Sequence, residues 1–144
     1  CSVRRQRQMC IRDRICTLSK HEAEKQGYSE SLMLDHEGNV AESTSANIFF
    51  KDSNGELHTP IPDCFLDGIT RRTVIDIAKS KNIKVHERKI SPNELPNFVG
   101  CFLTGTAAEI TPVSKIAENN YKVCDLIIDL SSSYGKLVRK KKAA

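Results

Sequence analysis

One stretch constrains this chain more than any other: Ala46-Asn47-Ile48-Phe49-Phe50, followed by Asp52-Ser53-Asn54-Gly55. β-Branched and aromatic side chains favour an extended, pleated backbone, and Asn-Gly tolerates the positive φ of a tight reversal. A run built this way folds back on its successor, so residues 56–59 become its partner. Strand signals recur at 31–35, with a turn at His36-Glu37-Gly38-Asn39 and a return over 40–42. They recur again at 83–88 and 100–104, and Thr111-Pro112-Val113 reads as an edge piece. Helical signals lie between and around them. Residues 15–26 are helix-compatible and stop at Gly27, a natural C′ residue. Residues 70–82 follow Asp67-Gly68, with Ile69, Val74, Ile77 and Ala78 as the apolar face. Ser91-Pro92-Asn93-Glu94 is a capping box with proline at N1. From Asp125, the residues Leu126, Ile127, Leu130, Tyr134, Leu137 and Val138 recur at helical spacing. Pro60 and Pro62 break regular structure. No repeat or linker divides the chain, so the expected fold is one α+β (mixed α/β) domain.

At 144 residues the chain can bury a core, and no apolar run reaches membrane-spanning length. Six cysteines without a CxxC pair argue against a zinc site, and with no secretory signal they read as reduced thiols. The four histidines are scattered, so the sequence shows no metal cluster. The net charge of +4 raises nucleic acid as a partner, but its distribution weakens that idea. Residues 1–14 carry five of the 22 basic residues and one of the 18 acidic ones, which leaves the rest balanced. The remaining support for a basic nucleic-acid-binding protein is the tail Lys140-Lys141-Lys142, without interleaved aromatic residues.

Residues 4–14 show neither helical nor strand periodicity. They resemble the forward-frame translation of a transposon adapter used in preparing sequencing libraries, codon for codon. The expectation is that residues 1–14 are an adapter-derived artefact without structure, fused to a truncated reading frame. Residues 15–144 then form the domain.

Two short strings are suited to anions. Gly68-Ile69-Thr70 lies at an expected helix N-terminus, where unpaired N–H groups and a partial positive charge suit phosphate. Gly105-Thr106-Ala107 closes a strand with a glycine, a hydroxyl and a small residue. Read without context, the first is a plain helix start capped by Thr70 with Arg71 in solvent. The second is then a tight strand-to-helix turn, and Glu42 is a surface charge.

Together the strings read otherwise. Ala41-Glu42-Ser43-Thr44-Ser45-Ala46-Asn47-Ile48-Phe49, Leu66-Asp67-Gly68-Ile69-Thr70-Arg71 and Gly105-Thr106-Ala107-Ala108-Glu109-Ile110-Thr111-Pro112-Val113 resemble fold-type IV pyridoxal 5′-phosphate (PLP) enzymes. Order and spacing match over residues 15–113. The Gly-Thr-Ala-Ala-Glu form is similar to branched-chain amino acid aminotransferases of class IV; D-amino acid transaminases and aminodeoxychorismate lyases share the fold and tend to differ at that string. The resemblance implies the large C-terminal domain of that fold, a curved mixed sheet flanked by helices, with the N-terminal domain missing. It implies Glu42 at the PLP ring nitrogen; Gly68, Ile69, Thr70, Gly105 and Thr106 at its phosphate; and Ala107 N–H at the substrate carboxylate. The substrates implied are leucine, isoleucine or valine with 2-oxoglutarate, in a cytoplasmic enzyme whose intact form is a homodimer or higher homo-oligomer, with no nucleic-acid or membrane partner. Ala46 departs from the family, which often has an acid there, and Asn47 is expected to support the strand or turn. The Schiff-base lysine of the family falls about twenty residues before Gly27-Tyr28, near Gln8, by the resemblance. Lys20 and Lys25 are out of register, so no catalytic residue is assigned and the chain itself is expected to be inactive.

Overall fold

The computed structural model describes residues 2–139, with side chains from Arg14 onward. Helix α1 (Ser2–Lys25) opens the chain. Its backbone is helical from Ser2. Arginine, glutamine and methionine favour helix intrinsically, and that preference operates without an amphipathic pattern. Gly27 ends the helix at φ +85°, and the Tyr28 N–H donates back to the Ala23 carbonyl at 2.9 Å. This is the left-handed C-terminal stop that glycine adopts most readily.

Strands β1 (Leu32–Leu34) and β2 (Val40–Ser43) form a separate antiparallel hairpin. The chain then enters a five-stranded sheet of order β5-β4-β3-β6-β7. Its members are β3 (Asn47–Lys51), β4 (Leu57–Thr59), β5 (Val85–Glu87), β6 (Gly100–Gly105) and β7 (Glu109–Pro112). The Asn-Gly turn joins β3 to β4 as its sequence requires. The Asp52 carboxylate accepts the N–H groups of Asn54 and Glu56, both at 2.9 Å. β4 and β5 are parallel, and helix α2 (Ile69–Ser80) connects them; every other neighbouring pair is antiparallel. The sheet is therefore mixed, as expected. A short hairpin of β8 (Lys115–Ile116) and β9 (Asn119–Asn120), absent from the sequence expectations, precedes helix α3 (Asp125–Val138).

Strand alternation divides the core between the sheet's two faces. Phe49 and Phe102, register partners stacked at 5.0 Å, share one face with Val74, Ile75 and Ala78 of α2 and Ile127, Leu130 and Tyr134 of α3. Ile48, Phe50, Cys101 and Leu103 point to the other, against Val40, Ile90, Leu95, Phe98 and Tyr121. Fully burying a side chain such as Ile48 or Phe49 contributes roughly 1.5–3 kcal/mol. Burial pushes the Tyr121 hydroxyl up to about 12, with Cys101 adding to the effect.

The capping box at Ser91 forms in full at the head of a 3₁₀ helix, Pro92–Asn97. The buried face of α2 differs from the expected one. Thr70, Arg71, Val74, Ile75 and Ala78 point inward, Ile77 is partly buried, and Ile69 is 77 % exposed. Two polar residues take the inward positions of the first turn, which rotates Ile69 to the outside. In α3, Ile127, Leu130 and Tyr134 are buried, while Leu137 and Val138 remain exposed.

Candidate functional site

Glu42 sits on β2, opposite Met33, and is buried. The chain leaves β2 through a tight turn, closed by the Ser43 N–H donating to the Ala46 carbonyl at 2.8 Å. Hydroxyls along this turn converge on one carboxylate. Ser43 and Ser45 donate to Glu30 at 2.9 and 2.7 Å, and Thr44 donates to it as well. Burial alone would raise the Glu30 pKa; hydrogen bonds from Thr44, Ser45, Ser43 and Lys20 outweigh it and lower the value. The turn delivers the chain into β3 with Asn47 beside Glu42, the Asn47 amide donating to Glu42 Oε2 at 3.4 Å.

Gly68 is the N-cap of α2, with no side-chain cap. The first-turn N–H groups therefore end without the usual capping oxygen, an arrangement suited to an anion. Arg71 anchors this end of the helix. Its guanidinium is 1 % exposed and donates to Asp67 at 2.9 Å, the Pro60 carbonyl at 2.9 Å and Glu87 at 2.8 Å. The plain helix start, with Thr70 capping and Arg71 in solvent, does not describe this structure. Thr70 is buried instead, with its hydroxyl 3.3 Å from that of Tyr134.

Gly105 ends β6, and Thr106, Ala107 and Ala108 form the turn into β7. The string is a strand-to-strand turn, in contrast to the alternative strand-to-helix reading. Thr106 and Ala107 are exposed at its tip. A Cβ added to Gly105 would lie 3.4 Å from Ala46 Cβ and 3.6 Å from the Ser45 carbonyl oxygen, so the third motif packs directly on the first. The small side chain of Ala46 permits this approach.

The three separated stretches thus meet. β3 and β6 pair Asn47 with Thr104, and Asn47 reaches the second motif through the Leu66 carbonyl and the Gly68 N–H. Glu42, Gly68, Thr70 and Gly105 are drawn together by this frame. Ile69 faces solvent at the helix start, and Thr106 and Ala107 form the open rim. Thr104 is 1 % exposed, and its hydroxyl has no hydrogen-bond partner among the described residues. Sequence reasoning missed Thr104, read Tyr134 only as part of a helical pattern and gave Arg71 no inward role. For Asn47 a signal existed, since asparagine is depleted from strands and here interrupts an apolar one. Lys20 donates to Glu30 at 3.2 Å, and Lys25 lies 3.5 Å from Glu22.

Chemically, the arrangement offers anion donors at a helix start and a hairpin turn, with a buried carboxylate beside them. This donor set fits a small molecule carrying a phosphate and a protonated ring nitrogen. The Thr104 hydroxyl, buried without a partner among the described residues, adds an unsatisfied polar group at the same place.

Comparisons agree with that chemistry. The family model described as amino-transferase class IV matches residues 14–116. A Rickettsia bellii protein named "Probable branched-chain-amino-acid aminotransferase" is 44 % identical over 128 residues, covering 84 % of this chain and 43 % of its own length. The solved branched-chain aminotransferase of Thermoproteus uzoniensis, with norvaline, aligns at a TM-score of 0.83 and 36 % identity, over 89 % of this chain and 43 % of that one. The PLP-form of the Thermobaculum terrenum branched-chain amino acid aminotransferase aligns at 0.83 and 35 %, over 88 % and 42 %. The chain spans less than half the length of these relatives. A family match across most of the chain, on a fold that brings the three motifs together, places this protein among the class IV aminotransferases.

Proposed function

We propose that the chain is the cofactor-holding part of a PLP-dependent transaminase exchanging the amino group between branched-chain L-amino acids and 2-oxoglutarate. The observation that supports this most is the meeting of Glu42 and the start of α2 on the Asn47 carboxamide, with the sheet pairing Asn47 to Thr104 near the end of β6. PLP, when bound, supplies an electron sink that is most effective with its ring nitrogen protonated. The Glu42 carboxylate would hold that proton, because a neighbouring negative charge favours the pyridinium form. The N–H groups of Ile69 and Thr70, reached past Gly68, and the Thr106 hydroxyl beside Gly105 would hold the phosphate. The Ala107 N–H would receive the substrate carboxylate at the open rim. Arg71 and Tyr134 act behind these groups, fixing the helix that carries Thr70.

No residue of this chain is assigned the lysine's part, which is to hold the cofactor covalently and move a proton at the substrate α-carbon. The expected register for it falls within residues 1–14, which we take to be adapter-derived; the family match beginning at Arg14 supports that boundary. The intact parent is read as a cytoplasmic homo-oligomer. No helix among the described residues is long and apolar enough to cross a membrane.

Titrating the purified chain with pyridoxamine 5′-phosphate tests the proposal. Saturable one-to-one binding is expected, weakened by about ten-fold in Glu42→Gln, the scale of one charged hydrogen bond. No transfer from L-leucine to 2-oxoglutarate is expected. Failure to bind overturns the cofactor reading, whereas normal turnover overturns the assignment of a missing lysine.

A further inference from the structure

We propose that Asn47 is a positioning residue whose single carboxamide ties the Glu42 carboxylate to the start of α2, making the two ends of the site one mechanical unit. The inference rests on the cofactor reading above and adds to it a part that the sequence assigned to strand support.

Asn47 is 5 % exposed within an apolar strand. A buried amide is costly there unless its hydrogen bonds are made. Its contacts run in three directions. Nδ2 donates to the Leu66 carbonyl at 2.8 Å and to Glu42 Oε2 at 3.4 Å, while Oδ1 accepts the Gly68 N–H at 3.2 Å. Together these contacts allow only one orientation of the amide. Turned over, Oδ1 would face a carbonyl and a carboxylate, and Nδ2 would face the Gly68 N–H; all three contacts would become repulsive. The backbone of Asn47 is held by the β3–β6 ladder opposite Thr104, so the amide is fixed by the sheet rather than by a loop.

Gly68 reports the same tie from its own side. A Cβ built there would fall 2.4 Å from Asn47 Oδ1, closer than real contacts allow. Gly68 has an ordinary φ of −63°, so backbone conformation does not require glycine. What excludes a side chain is the Asn47 carboxamide. The glycine of the phosphate motif is thereby matched to an asparagine in the carboxylate motif, 21 residues earlier in the chain. Any displacement of β3 or of the α2 start is transmitted between Glu42 and the N–H groups of the first turn.

Two variants separate this role from plain packing. Asn47→Ala removes all three contacts. Asn47→Asp is nearly isosteric and keeps an acceptor for the Gly68 N–H, but places a second carboxylate against Glu42 and the Leu66 carbonyl. In the ligand-free chain, amide hydrogen exchange at Gly68 accelerates by about ten-fold in Asn47→Ala and stays slow in Asn47→Asp, while Ala78 in the middle of α2 is unchanged. Pyridoxamine 5′-phosphate affinity falls by about ten-fold or more in both variants, the scale of losing a hydrogen bond to a charged group. In Asn47→Asp this loss occurs even though the Gly68 contact survives. Gly68→Ala weakens binding similarly and is non-additive with Asn47→Ala, as expected for groups acting through one contact.

Unchanged Gly68 exchange in Asn47→Ala overturns the tie, as does Asn47→Asp binding the ligand like the unsubstituted chain. If the unsubstituted chain itself ignores pyridoxamine 5′-phosphate, the cofactor reading falls and the proposal falls with it. The binding of the unsubstituted chain therefore distinguishes the two failures.

Discussion

The two ends of the central sheet are built on opposite plans. At the end where β3 begins and β6 finishes, Glu42, Asn47, Thr70, Arg71 and Thr104 are polar and buried. Around the β3–β4 turn, and at His58, His86 and Arg88, charged and imidazole side chains are partly exposed and bonded to one another. Asp52 receives two backbone N–H groups and lies 3.3 Å from His58 Nε2; Arg88 donates to His58 Nδ1 and grips Glu94; His86 meets Glu56 at 2.6 Å. The two imidazoles stack at 4.8 Å. The buried orphan atoms among the described residues, Arg71 Nε and Thr104 Oγ1, lie at the first end. An unsatisfied buried polar group costs about 1–3 kcal/mol, so a fold retains one where something other than folding requires it. The turn end is organised to make the sheet; under the proposed function, the motif end is organised to receive a ligand.

The arginines offer the largest test of that contrast. Arg71 is enclosed and forks to two carboxylates and a carbonyl, which the single ammonium of lysine cannot reproduce. Arg71→Lys is expected to lower unfolding free energy by about 2–4 kcal/mol, the scale of disrupting a buried ion pair. Arg88→Lys, at a half-exposed pair, is expected to cost less than about 1 kcal/mol. Urea midpoints at constant m-value measure both. Equal losses would remove the distinction between the two ends.

The contrast also explains which features the sequence disclosed. The Asn-Gly reversal, the Ser-Pro-Asn-Glu cap and the Gly27 stop rest on local chemistry between residues a few positions apart. They formed as expected because the groups that make them are supplied within a few residues of one another. The three motifs were legible as strings, and their convergence followed from the fold they imply. The inward turn of Arg71 was not legible. Helical periodicity places apolar residues inside, and at the first turn of α2 the inside is occupied by Thr70 and Arg71 while Ile69 faces out. The phase of a helix is misread where polar residues take the interior positions. Thr104 was hidden for a related reason. A threonine in a strand of β-formers is unremarkable until the strand's neighbours fail to supply it a partner.

Two buried threonines give a finer test. Thr59 donates its hydroxyl to the Ile48 carbonyl at 2.8 Å, whereas Thr104 has no such partner among the described residues. Valine matches threonine in shape and removes the hydroxyl. In the ligand-free chain, Thr59→Val is expected to destabilise by about 1 kcal/mol, and Thr104→Val to be neutral or stabilising by up to about 1 kcal/mol. Opposite signs from the same chemical change would show that the motif end sacrifices stability for function. If both substitutions destabilise equally, the Thr104 hydroxyl is satisfied in solution and the contrast weakens.

The smallest expected effect lies at the turn end and depends on pH. Two guanidinium hydrogen bonds from Arg88, assisted by the Ser91 N–H, hold the Glu94 carboxyl below the ordinary carboxylate range. A carboxylate with a depressed folded-state pKa adds stability above its unfolded value and loses it as pH falls through the folded one. Glu94→Gln should therefore lower stability near neutral pH by about half a kcal/mol, as expected for a half-exposed pair, and flatten the acid limb of the stability curve. In strong acid the two proteins should converge, because protonated Glu94 no longer differs in charge from glutamine. Thr104→Val should shift the whole curve without changing its slope, since no proton is taken up or released at that site. A change in slope from Thr104→Val would mean that the sheet's ends are electrostatically coupled, whereas none from Glu94→Gln would mean that Arg88 does not hold the Glu94 carboxylate in solution.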